Sequence, residues 1–209
     1  MKLVRMLLPP VGAMSALVLL GFSILPSGTL FADPNAYVGK DKGDWFVADN
    51  WDLKRVPTAD DDVSILGKTV YAAGNISACS LHVAAGAALH LGSSSERMNV
   101  SATIEHDLVV EDQGKLYVYA GELEGFAGTP ESYPDTFSDR AKATAAIYAN
   151  ANVLSIGGDF IVQEGGTVYP DNAPLTGTPV FFKVEGDFNL TADSSISTTG
   201  RGWGYIDRA

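Results

Sequence analysis

Four segments of the sequence share one spacing of apolar and small residues, and this repeat limits the available folds more than any other feature. They begin at Leu81, Leu108, Phe160 and Phe188. If each first residue is position zero, positions two and eight are aliphatic and position six is small in all four segments. Apolar residues two apart lie on one face of a β-strand, so each repeat is predicted to contain short strands joined by a tight turn at the small residue, where glycine can adopt a positive φ. The predicted inward residues are Val83, Leu89, Val110, Leu116, Val162, Val168, Leu190 and Ile196, and the small residues are Ala87, Gly114, Gly166 and Ser194.

The intervals between the repeats indicate how the strands are arranged. The segments start 27, 52 and 28 residues apart. An interval near 27 is typical of one coil of a parallel β-solenoid, in which each coil pairs with the next. We therefore expect an all-β fold, a right-handed parallel β-solenoid over residues 71–209 with about 27 residues per coil. The alternative is an antiparallel β-sandwich, which also consists of short strands at regular spacing.

The middle interval is close to twice the other two. A missing or altered repeat is expected there, and the stretch at about 121–150 is predicted to be an insertion because it breaks the repeat pattern. Long insertions between repeats emerge on one face of a solenoid and often carry function.

Residues 1–32 have the features of a secretory signal peptide. Lys2 and Arg5 precede an uncharged apolar stretch at 11–25, and Ala32 offers a small residue before a cleavage site at Asp33. The apolar stretch is shorter than the ~20 residues that a membrane-spanning helix needs. We expect a secreted or cell-surface protein with no membrane span after cleavage.

The net charge limits the classes of partner, and the cysteine content limits the disulfides. The formal net charge is −11, and an acidic surface repels nucleic acids and anionic lipids. Cys79 is the only cysteine, so no internal disulfide supports the fold. Asn75, Asn99 and Asn189 each begin an Asn-x-Ser/Thr sequon, and the sequence leaves their glycosylation open.

The region before the repeats, residues 33–70, carries a recognisable order of residues. Trp45 is followed by Asn50-Trp51, then by Pro57, a run of aspartates and a Val-x-Ile strand pattern. Over residues 37–91 this order resembles the N-terminal portion of secreted bacterial parallel β-helix and autotransporter-like surface proteins. It is also similar in part to the eight-glycine extracellular β-repeat domain. The resemblance implies an exported β-helix and says little about activity.

We interpret residues 33–70 as an N-terminal capping region. The end of a solenoid exposes strand edges and apolar core, which invite aggregation unless they are covered. Trp45 and Trp51 are predicted to cover this end. At the other end the tail at 200–205 is typical of a loop between coils, and no second cap follows, so a partner or a missing part of the chain is expected to cover it.

The candidate ligand-binding residues are aromatic and acidic. Strand alternation turns the tyrosines of the repeats outward, and the insertion adds further tyrosine and carboxylate side chains. A row of exposed aromatics would suit a glycan, and a surface protein is the other expected partner. The candidates are Tyr117, Tyr119, Tyr133, Tyr169, Glu131 and Asp135.

Asp60, Asp61 and Asp62 form the candidate metal site. Three successive carboxylates supply the oxygen ligands that Ca²⁺ prefers, although their spacing does not match an EF-hand loop. The simpler interpretation is a solvated turn before a strand, with no cofactor bound. A second acidic set, Asp107, Asp159 and Asp187, shares the position just before zero and is expected to accept hydrogen bonds from turn amides.

The function predicted from these features is structural or adhesive. The sequence contains no phosphate-binding loop, serine-nucleophile motif or zinc-ligand spacing, so we expect no catalytic activity. The alternative is a glycan-binding module or a polysaccharide-degrading β-helix, such as a lyase or glycosidase.

Overall fold

The computed structural model describes residues 32–95, 100–122, 153–173 and 178–199. Within these ranges the chain forms sixteen short β-strands and one 3-10 helix, Ala48–Asn50. The strands are β1 Asp33–Ala36, β2 Gly43–Asp44, β3 Asp61–Ile65, β4 Thr69–Ala72, β5 Ile76–Ala78, β6 Ser80–Val83, β7 Ala88–Leu91, β8 Ala102–Ile104, β9 Leu108–Val110, β10 Lys115–Tyr119, β11 Val153–Ile156, β12 Phe160–Val162, β13 Thr167–Asp171, β14 Phe181–Val184, β15 Phe188–Leu190 and β16 Ser195–Ile196.

The strands form three sheets of parallel neighbours. Sheet 1 has the order β1-β3-β6-β9-β12-β15, sheet 2 the order β2-β4-β7-β10-β13-β16, and sheet 3 the order β5-β8-β11-β14. The chain visits sheets 1, 2 and 3 in turn, and we call each such visit a pass. The first pass is β1 and β2, the second β3 to β5, the third β6 to β8, the fourth β9 to β11, the fifth β12 to β14, and the sixth β15 and β16.

The all-β, parallel, solenoid-like arrangement is confirmed, and the antiparallel sandwich is wrong. Every pairing between named strands is parallel. Among the described residues the one antiparallel bridge joins Tyr37 and Trp51. Parallel neighbours need a crossover between them, and each pass supplies it by running through the other sheets.

The strand register reproduces the alignment of the four repeats. Leu81 pairs with Leu108, Leu108 with Phe160, and Phe160 with Phe188. Two passes precede the first repeat, because Val63 pairs with Leu81 and Asn35 pairs with Val63. Residues 33–70 therefore contain the first strands of sheets 1 and 2.

Among the described strands, none separates the repeats on either side of the 52-residue interval. β9 pairs directly with β12 and β10 with β13 across the fourth and fifth passes, and β8 pairs directly with β11 across the third and fourth, so the strands on either side of the interval are immediate neighbours. The additional residues follow β10 and precede β11. Most of this insertion, residues 123–152, lies outside the described residues.

The aliphatic side chains at positions two and eight form part of the core. The six predicted inward residues of the third to fifth passes are fully buried: Val83, Leu89, Val110, Leu116, Val162 and Val168. Burial of each such side chain contributes roughly 1.5–3 kcal/mol. Leu190 and Ile196 occupy the same inward positions by register, but the prediction that they are buried in the core is wrong, because no described strand follows the sixth pass and they are 47% and 40% exposed.

In the turn between sheets 1 and 2, the residue with a positive φ lies one position before the predicted one. The positive φ occurs at position five, where Gly86, Gln113, Gly165 and Asp193 have φ values of 72°, 57°, 76° and 59°. At position six, Gly114 and Gly166 each lie close to a carbonyl oxygen of the preceding pass. A Cβ on Gly114 would lie 2.6 Å from the carbonyl oxygen of Val83 in the preceding pass.

Candidate functional site

A row of four stacked aromatic side chains lies on the outer face of sheet 2. Tyr71 of β4, His90 of β7, Tyr117 of β10 and Tyr169 of β13 are register partners on adjacent strands. Successive ring centroids are 4.6, 4.2 and 4.6 Å apart, with interplanar angles of 28°, 8° and 13°. These distances are close to the spacing of about 4.8 Å between neighbouring strands. We call these four residues the aromatic row.

Strand alternation positions the row. Each member follows a fully buried aliphatic residue, for example Leu89 before His90 and Leu116 before Tyr117. Since successive side chains point to opposite faces, burying the aliphatic residue turns the next ring outward. The parallel register then places one ring above another in each pass.

Tyr119 braces the row from the side. Its hydroxyl lies 3.1 Å from His90 Nδ1, and its ring centroid is 5.9 Å from that of His90 at an interplanar angle of 13°. The Tyr119 side chain is buried, unlike that of Tyr71 at the start of the row, which is 40% exposed. His90 therefore contacts three tyrosine rings.

The structure brings together Tyr117, Tyr119 and Tyr169 from the predicted ligand-binding set. It adds Tyr71 and His90, which sequence reasoning missed. His90 occupies position nine of the first repeat, as Tyr117 and Tyr169 do in later repeats, so the alignment itself carried the signal. Tyr71 belongs to the second pass, which precedes the first of the four sequence repeats. The remaining candidates, Tyr133, Glu131 and Asp135, lie outside the described residues.

The stacking decides which ring surfaces are available. The two interior rings of the row, His90 and Tyr117, each stack between two neighbouring rings. A sugar that packs on an aromatic side chain needs an open ring face, so the interior of the row is not such a platform. Offset-stacked aromatic pairs contribute about 0.5–1.5 kcal/mol each beyond their area of burial. The row therefore couples four consecutive passes.

The three candidate metal ligands do not converge. The Asp61 side chain is fully buried, whereas Asp60 and Asp62 are exposed, as expected for alternating residues at the start of β3. Asp62 accepts a hydrogen bond of 2.6 Å from the Ser80 hydroxyl. Across the described ranges no cluster of three or more side chains is arranged to hold a metal ion. The calcium site at these residues stays a prediction.

Asp61 is instead held by a cation. The two terminal nitrogens of Arg55 each donate to one carboxylate oxygen, and the Thr58 backbone N–H donates at 2.7 Å. Burial alone raises the pKa of Asp61, but the bonds from Arg55 and Thr58 outweigh it and lower the pKa below its ordinary value. This carboxylate therefore anchors the loop before β3 to the sheet.

Trp45 and Trp51 are both fully buried in the first pass. Their rings meet edge to face with centroids 4.7 Å apart, and the Trp51 indole N–H donates to the Trp45 carbonyl at 2.7 Å. Tyr37 packs edge-on against Trp51 at 5.2 Å. The aromatic cluster fills the core where later passes have aliphatic side chains.

The outer edge of β1 is also blocked. The Ala36 N–H donates to the Asp52 carboxylate at 2.9 Å, and the Asp52 N–H donates to the Ala36 carbonyl at 3.0 Å. Pro34, the other residue that alternation turns to this edge, has no N–H. A further strand therefore finds neither a free donor nor a free acceptor at Ala36.

The aspartates just before position zero form a directional ladder. The Asp159 N–H donates to the Asp107 carboxylate at 2.8 Å, and the Asp187 N–H donates to the Asp159 carboxylate at 2.8 Å. The expectation that these aspartates accept backbone amides is confirmed for Asp107 and Asp159. A Cβ on Gly158 would clash with the Asp107 carboxylate and one on Gly186 with that of Asp159, which explains the glycines before these aspartates.

Cys79 and His106 are neighbours in consecutive passes. The His106 N–H donates to the Cys79 carbonyl at 2.7 Å. Burial, reinforced by the Asp62 carboxylate, raises the pKa of the Cys79 thiol. The thiolate, which is the nucleophilic form, is therefore disfavoured at this position.

Two of the three sequon asparagines lie in the described part of the chain. Asn75 and Asn189 are exposed, and the Asn75 side-chain oxygen accepts a bond of 2.9 Å from the Ser101 N–H, whereas Asn99 lies outside the described residues. In the described part of the chain no helix has the length and apolar character needed to cross a membrane.

Comparisons with protein-family models, curated proteins and solved structures find no match for this chain.

Proposed function

We propose that this protein is a secreted or cell-surface structural element, a non-catalytic right-handed β-solenoid with about 27 residues per coil that serves as a stiff spacer or attachment element. The observation that carries the proposal is the aromatic row. It stacks four consecutive passes on the outside of sheet 2, as the aliphatic ladder stacks them on the inside.

The proposed handedness rests on a general rule. Crossover connections between parallel strands of one sheet are right-handed in about 98% of cases, because right-twisted strands pack back onto the sheet only in that way. The proposed export rests on the signal peptide expected at residues 1–32. Resemblance of residues 37–91 to exported bacterial β-helix proteins points in the same direction.

A structural role explains why the outer residues contact each other. In a protein without internal disulfides, resistance to unfolding outside the cell must come from packing and hydrogen bonds. The three stacked pairs of the row together contribute about 1.5–4.5 kcal/mol if each contributes the usual amount. A surface whose ring faces are occupied in this way supports stiffness rather than recognition.

Glycan binding is the second candidate function. It is favoured by Tyr71, which lies at one end of the row and is 40% exposed. A polysaccharide running across the passes would meet one row residue about every 4.8 Å. The lyase or glycosidase alternative would additionally require released sugar.

The experiment compares Tyr117→Ala and Tyr117→Phe in protein expressed from the full-length sequence. Thermal unfolding and a glycan array with detection of released sugar are measured for each variant. If the row is structural, alanine lowers the Tm, phenylalanine retains it because the ring remains, and no glycan binds. Glycan binding by the wild-type protein that Tyr117→Ala removes at unchanged Tm would overturn the proposal.

A further inference from the structure

The sixth pass carries core residues that no described residue covers. Phe188, Leu190 and Ile196 are 45%, 47% and 40% exposed. Their register partners in the fifth pass, Phe160, Val162 and Val168, are essentially fully buried. β14, β15 and β16 are the last strands of the three sheets in the described part of the chain. At the sixth pass these inward positions therefore form an open apolar surface.

Contacts with the fifth pass hold this surface in place. The Phe188 ring centroid lies 5.0 Å from that of Phe160, and the Thr191 N–H donates to the Val162 carbonyl at 3.0 Å. In the fifth pass the Phe160 N–H donates at 2.9 Å to the Asp187 carbonyl of the next pass. By the same alternation the Phe188 N–H faces the open edge of β15.

The aspartate ladder specifies the direction of a strand that would fit there. In the two preceding steps the carboxylate of one pass accepts the N–H at the same position in the following pass. Asp187 is the next carboxylate in this series, and among the described residues none donates to it. A strand parallel to β15 would bring an N–H to this position, and a small residue before it would avoid a clash.

We propose that the open edge of β15 binds one extended segment of a partner protein as an additional parallel strand. Alternate apolar side chains of the segment cover Phe188 and Leu190, and one of its amides donates to Asp187. Adding a strand to an exposed sheet edge is a common mode of peptide recognition, with affinity from main-chain hydrogen bonds and specificity from alternate side chains.

A second copy of this chain fits less well. If two copies meet at their open ends with both apolar faces on the same side, the two-fold axis runs along the sheet normal, so the facing strands are antiparallel and the amide is misplaced relative to Asp187. Head-to-tail stacking would place β1 on β15, but Pro34 has no N–H and Asp52 occupies the edge groups of Ala36. A parallel strand from a different protein satisfies both the acceptor and the apolar surface.

The test uses a peptide with the sequence of residues 157–170, which contains the β12 and β13 pattern, added to protein expressed from the full-length sequence. Hydrogen exchange of the Phe188 and Leu190 amides is the readout. At a peptide concentration ten times its Kd, we expect their exchange to slow about tenfold. A peptide carrying Asp159→Pro lacks the donating N–H and should not protect them.

Matched variants of the protein test the acceptor. Asp187→Ala removes the carboxylate and should raise the peptide Kd about tenfold, whereas Asp187→Asn retains an oxygen acceptor and should bind nearly as well. Loss of binding with both variants, or with neither, would overturn the assigned role of Asp187.

Three results would overturn the proposed occupant. Amides of β15 already protected in the monomeric chain would assign the edge to residues 200–209. Protection that appears together with a dimer in sedimentation would assign it to a second copy. Unprotected amides that no peptide concentration slows would show that the edge binds no strand. The inference does not depend on the aromatic row, so the Tyr117 experiment and this one fail separately.

Discussion

Arg55 and Asp61 form a two-point ion pair in which both carboxylate oxygens are bonded and the carboxylate is fully buried, while the Arg55 side chain remains 39% exposed. The pair connects the loop after Trp51 to the first residue of β3. It therefore links the aromatic cluster of the first pass to sheet 1. Removing either partner leaves the other without its main electrostatic contact.

We expect Asp61→Asn to destabilise the protein and to change its response to acid. The loss should be about 2–3 kcal/mol, below that of a fully buried pair because water screens Arg55. The pKa of Asp61 is depressed in the folded state, so its contribution is fully present above the unfolded-state pKa and is lost as the pH falls through the folded-state pKa. Urea unfolding across the acid range should show a smaller loss of stability on acidification in the variant; equal slopes would contradict this.

His90 and Tyr119 provide a test of the bracing contact. A double-mutant cycle with His90→Ala and Tyr119→Phe should give a coupling free energy of about 1 kcal/mol, since the phenylalanine retains the ring and removes only the hydroxyl. The free energies of unfolding of the four proteins are measured in denaturant. Additive effects would mean that the hydroxyl bonds elsewhere.

Gly114→Ala should destabilise the turn between β9 and β10. The added methyl would lie 2.6 Å from the Val83 carbonyl oxygen, and relieving such crowding costs about 1–3 kcal/mol. The neighbouring change Gln113→Gly is the control. Gln113 has a φ of 57°, so glycine there relieves strain and should not reduce stability. A Gly114→Ala protein as stable as the wild type would refute the close approach.

Leu116 lies in a pass with a paired strand on each side, whereas Leu190 lies in the sixth pass, which no described strand covers. Leu116→Asp buries a carboxylate in the core and should prevent folding, whereas Leu190→Asp places it at a position that is 47% exposed and should leave the protein folded. Circular dichroism and the yield of secreted protein distinguish the two. A folded Leu116→Asp variant with an unchanged Tm would show that this strand is misplaced.

The repeat in the sequence predicted much of this architecture. Strand alternation and the common spacing predicted which faces of β6, β7, β9, β10, β12 and β13 point inward, and the register agrees. These features depend on local properties, namely the two-residue period of a strand and the position of the turn. The outward placement of Tyr117 and Tyr169 follows from the same period.

Other features required the tertiary structure, because spacing in the sequence does not specify neighbours when passes differ in length. Val63 pairs with Leu81 across only 18 residues, and Leu108 with Phe160 across 52. Only the pairing of β4 with β7 places Tyr71 against His90. Likewise, Asp61 is an anchoring residue rather than a free carboxylate because a loop brings Arg55 to it. By itself the sequence determined which way each side chain of a repeat faces, and the pairing of passes decided what each one meets.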